Sequence, residues 1–481
     1  MRKSDKQQKE MEEDSAAREE EIFANAPVGK ALASMIVPTI VSQVIIVIYN
    51  LADTWFVGLT ENANAVAAVS LCLPVYTILS AISNLFGIGG AGSLARALGS
   101  KDHERAKKIL RLSVIGAFCG ALVYAVLIGI FARPLLMLIG GDSGTIDFAV
   151  AYAVWTIVIG GIPTIVGPAC GHLIRSMGHP KTASFGMILG GVLNIIFDPL
   201  FMFVLLPPGN EVAGAAMATA LSNFIGLIYF AVYLYRHQRD LDDQKGRKKQ
   251  PGTGALLYDI VKGGIPGFCM VALAMFSNCF LNSMISTLGS EAVAGIGIVR
   301  KIDQLAYAVN QGVTQGMLPL VAYCYSSGRR SRMWKAVGIS AVFSEGFSLI
   351  CMAVSLIFSN ELITIFIRDP KTIYFGAEFL RILCLAVPLY TLTFVIIAVF
   401  QAVGRGVEPF VLSVLHKGSL DIVLLFILRR LAGVERILWA APTAEVIALI
   451  TGIIMLAAFW KKLNMKYARR RVDGVSAAVI D

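Results

Sequence analysis

Twelve apolar runs, each roughly 20 residues or longer, follow one another along most of this chain, and little else in the sequence constrains its fold so tightly. They lie near 32–57, 65–91, 109–131, 146–174, 182–206, 212–235, 256–287, 291–323, 336–358, 373–401, 408–428 and 437–460, and are numbered here as spans 1 to 12. A helix of that length crosses a hydrocarbon layer about 30 Å thick. With 56% hydrophobic and 15% charged residues and a mean hydropathy of +0.70, the chain falls outside the range of soluble domains. The expected class is an all-α membrane protein with twelve transmembrane helices.

A net charge of +10 raises the question of nucleic acid, but the basic residues follow topology instead. Arg96, Lys101, Arg105, Lys107, Lys108 and Arg111 lie between spans 2 and 3, and Arg236, Arg239, Lys245, Arg247, Lys248 and Lys249 between spans 6 and 7. Arg329, Arg330, Arg332 and Lys335 separate spans 8 and 9, and Lys461, Lys462, Lys466, Arg469, Arg470 and Arg471 close the chain. The alternate connections 60–64, 207–211 and 290–291 carry no basic residue. The positive-inside rule therefore places both termini in the cytoplasm of a multi-pass cell-membrane protein. Arg368 with Lys371, and Arg429 and Arg430 with Arg436, run against the trend.

Residues 1–26 form a mixed-charge segment without an apolar core, read as a cytoplasmic, partly helical or disordered tail rather than a targeting peptide. The eight cysteines stand singly within apolar spans and lack CxxC spacing, so they read as packing residues rather than disulfide partners or metal ligands.

The second half repeats the first at an offset of about 227 residues. Ile36-Val37-Pro38 aligns with Gly264-Ile265-Pro266, Ala65-Val66-Ala67 with Ala292-Val293-Ala294, and Leu193-Asn194-Ile195 with Leu420-Asp421-Ile422. Arg175-Ser176-Met177-Gly178 likewise aligns with Gln401-Ala402-Val403-Gly404. Six spans per unit give both units the same orientation, the parallel-repeat plan of alternating-access transporters. The resulting division is an N-lobe over 27–237, a linker over 238–254, a C-lobe over 255–462 and a basic cytoplasmic tail over 463–481, the two lobes being pseudo-symmetric six-helix bundles. Pro38, Pro163, Pro266 and Pro388 each remove a backbone donor in mid-span, and are either fixed kinks or bending points.

Acidic residues inside such spans are candidates for an ion pathway. Counting about 1.5 Å per residue, Asp53 lies one turn below the outer end of span 1 and Asp198 two turns below that of span 5. Asn194 lies four residues deeper on the face of Asp198, and Thr219 reaches a similar depth on span 6. Two carboxylates, an amide and a hydroxyl suit Na⁺ as a hard cation, with Asp53 and Asp198 its charged ligands, and the same pair could instead carry a proton. The plainer reading of a single such Asp is a helix cap or an interhelical hydrogen bond.

The C-lobe has no acid where Asp53 would map. It carries Asp421 in the slot of Asn194 and Glu445 in span 12, which with His172 of the N-lobe make a possible secondary proton or substrate site. Arg300 and Asp303, three apart in span 8, are expected to pair with each other. Phe86, Tyr152, Trp155, Met187, Met275 and Tyr390 could line an adaptable surface for flat cations.

The stretches Tyr49–Gly58 with Pro38, Leu173–Pro180, Leu193–Leu200, Gly214–Thr219 and Gln315–Pro319 resemble the multidrug and toxic compound extrusion (MATE) family, most of all its bacterial MepA-like branch. The resemblance covers about residues 27–462 and rests chiefly on the Asn194-x-x-x-Asp198-Pro199 element together with Asp53. It implies two six-helix lobes and export of bulky, often cationic drug-like or toxic organic compounds against inward Na⁺ or H⁺, with Asp53, Asn194, Asp198 and Thr219 as the N-lobe cation site. No cofactor is implied beyond the coupling ion, and no partner beyond the substrate and the lipid bilayer, around a monomer. The chain departs from some relatives in lacking an acid near 271–276 and 389–393, and an Asn near Gly171-His172.

Other functions fit less well. No Walker A sequence supports ATP-driven transport, and HExxH and GxSxG are both missing, which argues against a membrane-embedded enzyme. A flippase for lipid-linked saccharide precursors is the alternative, but it would be expected to line its cavity with several Arg or Lys.

Overall fold

The computed structural model describes residues 21–60, 63–207, 209–237 and 252–472, and among them every regular element is helical. Nine helices are individually long and apolar enough to cross a bilayer, and two bent pairs bring the number to eleven. The twelfth, Ser290–Ser326, has 37 residues but carries Glu291, Arg300, Lys301 and Asp303, so it is less apolar than its neighbours. All twelve expected spans are therefore present. Large side chains such as Ile130, Phe131, Val342 and Ile350 point outward from the helices, as a hydrocarbon solvent allows.

Proline explains where two spans break. Span 4 consists of Ile146–Ile159 and Gly161–Ser176, bent by 47°, and span 10 of Pro370–Leu383 and Ala386–Ala402, bent by 42°. A proline cannot bond to the carbonyl four residues back and crowds it. Pro163 and Pro388 act on residues 159 and 384, which is where each helix gives way. Pro38 and Pro266, by contrast, sit inside the continuous helices Val28–Gly58 and Thr253–Ile285.

Spans 1 to 6 pack on one another, as do spans 7 to 12. Between the lobes, span 2 lies along span 7 and span 1 along span 8, two contacts that the sequence repeat exchanges. Glycine makes the approach possible. A Cβ on Gly264 would collide with the Leu85 carbonyl and stand 2.8 Å from Leu85 Cα, while one on Gly89 would lie 2.7 Å from the Gly264 nitrogen. Gly312 and Gly316 meet Ile40 and Ile36 in the same way, at 2.6 and 2.8 Å from their Cα atoms. All four glycines lie in the half of the molecule nearest the chain termini.

Polar bonds tie the lobes at that same end. Arg96 at the end of span 2 donates to the Gln401 and Ala402 carbonyls at 3.2 and 3.1 Å, placing a cation at the negative C-terminal end of span 10. Arg105 pairs with Asp259 at 3.0 Å, and Gln43 donates to Gln315 at 2.8 Å. The segment just before span 1 also crosses to the C-lobe. Phe23 is fully buried and stacks on Tyr323, while Arg332 takes the Ile22, Phe23 and Ala26 carbonyls at 3.0, 2.8 and 2.5 Å. Residues 21–26 are thus packed against the C-lobe, although the sequence reads them as the end of a tail. The expected linker 238–254 lies outside the described residues apart from 252–254, and span 12 continues as helix to Val472.

Candidate functional site

Spans 1, 5 and 6 bring Asp53, Asn194, Asp198 and Thr219 together inside the N-lobe, near the end away from the termini. Asp198 is fully buried and Asn194 nearly so, while Asp53 is half-buried with Oδ1 shielded from solvent. The Asn194 amide nitrogen donates to Asp198 Oδ1 at 3.1 Å and to Thr219 Oγ1 at 3.2 Å. Thr219 in turn donates to the Ala215 carbonyl at 3.0 Å. Two acceptors on one side of the amide fix its orientation, so Asn194 Oδ1 must face elsewhere.

Three buried oxygens are left without a donor: Asp53 Oδ1, Asp198 Oδ2 and Asn194 Oδ1. Buried acceptors are nearly always satisfied in folded proteins, so three in one cluster call for an explanation. A hard cation or a proton would satisfy them, because each accepts oxygen lone pairs and offsets carboxylate charge. Asp53 lies within charge–charge range of Asp198. Tyr49 and Tyr152 are close enough to feel both carboxylates, and Tyr76 to feel Asp53.

The tyrosine shell is largely what the sequence reading missed. Tyr49 stands four residues before Asp53, one helical turn away on the same face, and that spacing was the available signal. Asn223 was also missed; it donates to Thr164 at 2.9 Å and lines an N-lobe cavity of about 60 Å³ with Tyr49. If Thr219 positions Asn194, Thr219→Val should weaken coupling-ion binding about five-fold, near 1 kcal/mol for one net hydrogen bond. Equilibrium binding of radioactive sodium, or proton release on acid–base titration, measures the change.

The three residues expected at a secondary site each bond to a different partner. Asp421 accepts a hydrogen bond from Ser277 and borders a C-lobe cavity of about 100 Å³. Glu445 pairs with His416 at 2.6 Å, both side chains being buried. His172 lies between the lobes, against Gly87 and beside Arg175. Asp421 shares its cavity with Arg300 and Asp303, but within span 8 Arg300 donates to the Asn278 carbonyl at 3.5 Å while Asp303 accepts from Tyr390 at 2.9 Å. Each side chain therefore bonds outside the span it was expected to pair within.

The expected aromatic surface is likewise divided. Tyr152 belongs to the acidic cluster, Phe86 packs on Gly116 and Gly120 of span 3, and Tyr390 serves Asp303 in the C-lobe.

Two parallel six-helix lobes around one interface, with buried acids in both, are the architecture of a membrane transporter. The family profile MatE matches the chain twice, over residues 38–200 and 266–427, one match in each lobe, and the chain belongs to that family. It is a membrane transporter and not an enzyme. Among its relatives is the multidrug export protein MepA of Staphylococcus haemolyticus, 27% identical over 447 residues that cover 93% of this chain and 97% of the relative. MepA of Staphylococcus aureus is 26% identical over 90% of this chain and 94% of its own. In fold, the chain is similar to a solved multidrug resistance MATE family transporter in an outward-facing conformation, with a TM-score of 0.83 at 22% identity, covering 93% and 98% of the two chains.

Proposed function

We propose that this protein is a secondary antiporter that exports bulky, often cationic organic compounds in exchange for Na⁺ or H⁺ entering the cell. The observation that carries the reading is the set of three unpartnered oxygens on Asp53, Asp198 and Asn194. Loading a cation there changes the free energy of one conformation relative to another, which is what exchange requires. The multidrug export function of the MepA relatives supports the substrate class.

With both termini in the cytoplasm, the glycine contacts shut the cytoplasmic half while the acids lie toward the outside. That arrangement lets the ion load from outside. Its binding to Asp53 and Asp198 favours parting of the lobes at the cytoplasmic end, where cargo enters; return to the present state releases cargo outward. A flippase finds less support, because the inter-lobe cavity is lined by a single guanidinium, that of Arg175, among the described residues.

The test is efflux of a fluorescent organic cation from vesicles under pH and Na⁺ gradients imposed separately. One gradient should drive efflux, and Asp53→Asn should reduce it at least about five-fold, the lower end of typical coupling energies. Undiminished gradient-driven efflux by that variant would remove Asp53 from coupling.

A further inference from the structure

Arg175 leads the fully buried side chains in volume, with 1% of its surface exposed, and its guanidinium meets no carboxylate among the described residues. Nη1 stands 3.4 Å from His172 Nδ1, Nη2 stands 3.8 Å from the Met187 sulfur, and Nε has no partner. Arginine remains charged in proteins, and a buried charge without a counter-charge is among the costliest features a fold can keep. Within a membrane span such a group marks a ligand pathway more often than packing.

The side chain borders the cavity between the lobes. Facing it from the C-lobe are Gln311, Gln315 and Gln401, the last being the counterpart of Arg175 in the repeat. Gln315 donates to Gln311, and Gln311 to Tyr307, at 3.2 and 2.9 Å. These amides are neutral and can donate to an anion, yet none neutralises the guanidinium.

We propose that this end of the inter-lobe cavity is an oxyanion-recognition site, in which Arg175 receives the carboxylate of a carboxylate-bearing substrate with the glutamine amides alongside. The proposal rests on the transport reading above and narrows its substrate class. A guanidinium presents a planar fork that matches a carboxylate with two parallel hydrogen bonds. One such fork suits one carboxylate, whereas a pyrophosphate would call for several cations.

The location also fits loading from the cytoplasm. The cavity lies in the half shut by Gly89, Gly264, Gly312 and Gly316, and in this conformation measures about 40 Å³. That is room for a few water molecules at about 10–15 Å³ each, far below the roughly 300–1,000 Å³ of a drug-sized site. Parting the lobes exposes the guanidinium to cargo; closing them expels it.

The test compares two dyes that differ only at the group in question: rhodamine 19, with a free carboxylate, and rhodamine 6G, its ethyl ester. Binding to the full-length protein in lipid nanodiscs is followed by fluorescence anisotropy. Arg175→Gln should weaken rhodamine 19 about tenfold or more, as expected for loss of a charge-assisted pair, and leave rhodamine 6G within about twofold. Arg175→Lys, which keeps the charge but not the fork, should fall between. Inorganic phosphate should compete with rhodamine 19 in the wild type and lose that ability in Arg175→Gln.

Equal losses for acid and ester, or no loss for either, would overturn the site. Should Arg175→Gln not fold, the wild type still decides: failure to bind either dye, or indifference of rhodamine 19 binding to phosphate, overturns it equally. No ion gradient is present in this measurement, so its failure is distinct from failure of gradient-driven efflux in vesicles.

Discussion

Alanine at position 264 is expected to abolish transport while leaving the helix that carries it intact. The new methyl group would collide with the Leu85 carbonyl of span 2 and approach Leu85 Cα to 2.8 Å. These are backbone atoms, which cannot turn aside as a side chain can. In an isolated helix, Gly→Ala is favourable by about 1 kcal/mol, so any loss must come from the contact between lobes. Overpacking of about 1–3 kcal/mol would act on the closed state alone. That shifts the equilibrium toward parted lobes by roughly 5–150-fold. A cysteine introduced at Ala91, on the inter-lobe cavity, would report the shift as faster maleimide labelling from the side of the termini in a cysteine-free background. Gly167→Ala is the control, because nothing lies within 4 Å of a Cβ built there. Wild-type labelling and transport in Gly264→Ala would mean that this contact does not govern closure.

Much of this fold was legible because lipid imposes simple rules. Length and apolarity located all twelve spans, and the repeat located the two lobes. The rule that proline disturbs the carbonyl four residues back also locates the breaks in spans 4 and 10, yet it does not say which prolines will break a helix. Pro38 and Pro266 stay within continuous helices that lie against the opposite lobe, where neighbouring spans hold them. Depth counting brought Asp53 and Asp198 to one layer, since helices crossing one membrane share a ruler. Depth says nothing of rotation, and rotation decided the rest. It set Tyr49 and Tyr152 beside the acids, turned Glu445 onto His416, and sent Asp421 to Ser277. Arg175 illustrates the same limit. It stands near the end of span 4, after the break, yet its side chain borders the cavity between the lobes, which position along the span does not reveal.

Asp198→Asn should separate two quantities that ordinarily move together, raising the stability of the protein while removing its response to the coupling ion. Asp198 Oδ1 is held by Asn194, whereas Oδ2 is buried with no donor, and Asp53 adds a second carboxylate within charge range. An asparagine can keep its oxygen on Asn194 and turn its amide nitrogen toward the unpartnered oxygens. That exchanges a buried charge for a neutral donor, a change expected to stabilise by about 1 kcal/mol and to raise the melting temperature of the purified protein. For the coupling ion the sign reverses. A cation about 4 Å from a carboxylate gains up to about 4 kcal/mol at an effective dielectric constant near 20. Losing even most of this lowers affinity roughly 100-fold, more than Asp53→Asn, whose carboxylate is only half-buried. A shared proton would be lost in the same way, because one carboxylate alone cannot form the pair. Melting curves with and without added Na⁺, at two pH values, read both effects in one experiment. If Asp198→Asn instead lowers the melting temperature and keeps the full ion-induced rise, the carboxylate is a helix-packing acceptor for Asn194, and the coupling ion binds elsewhere.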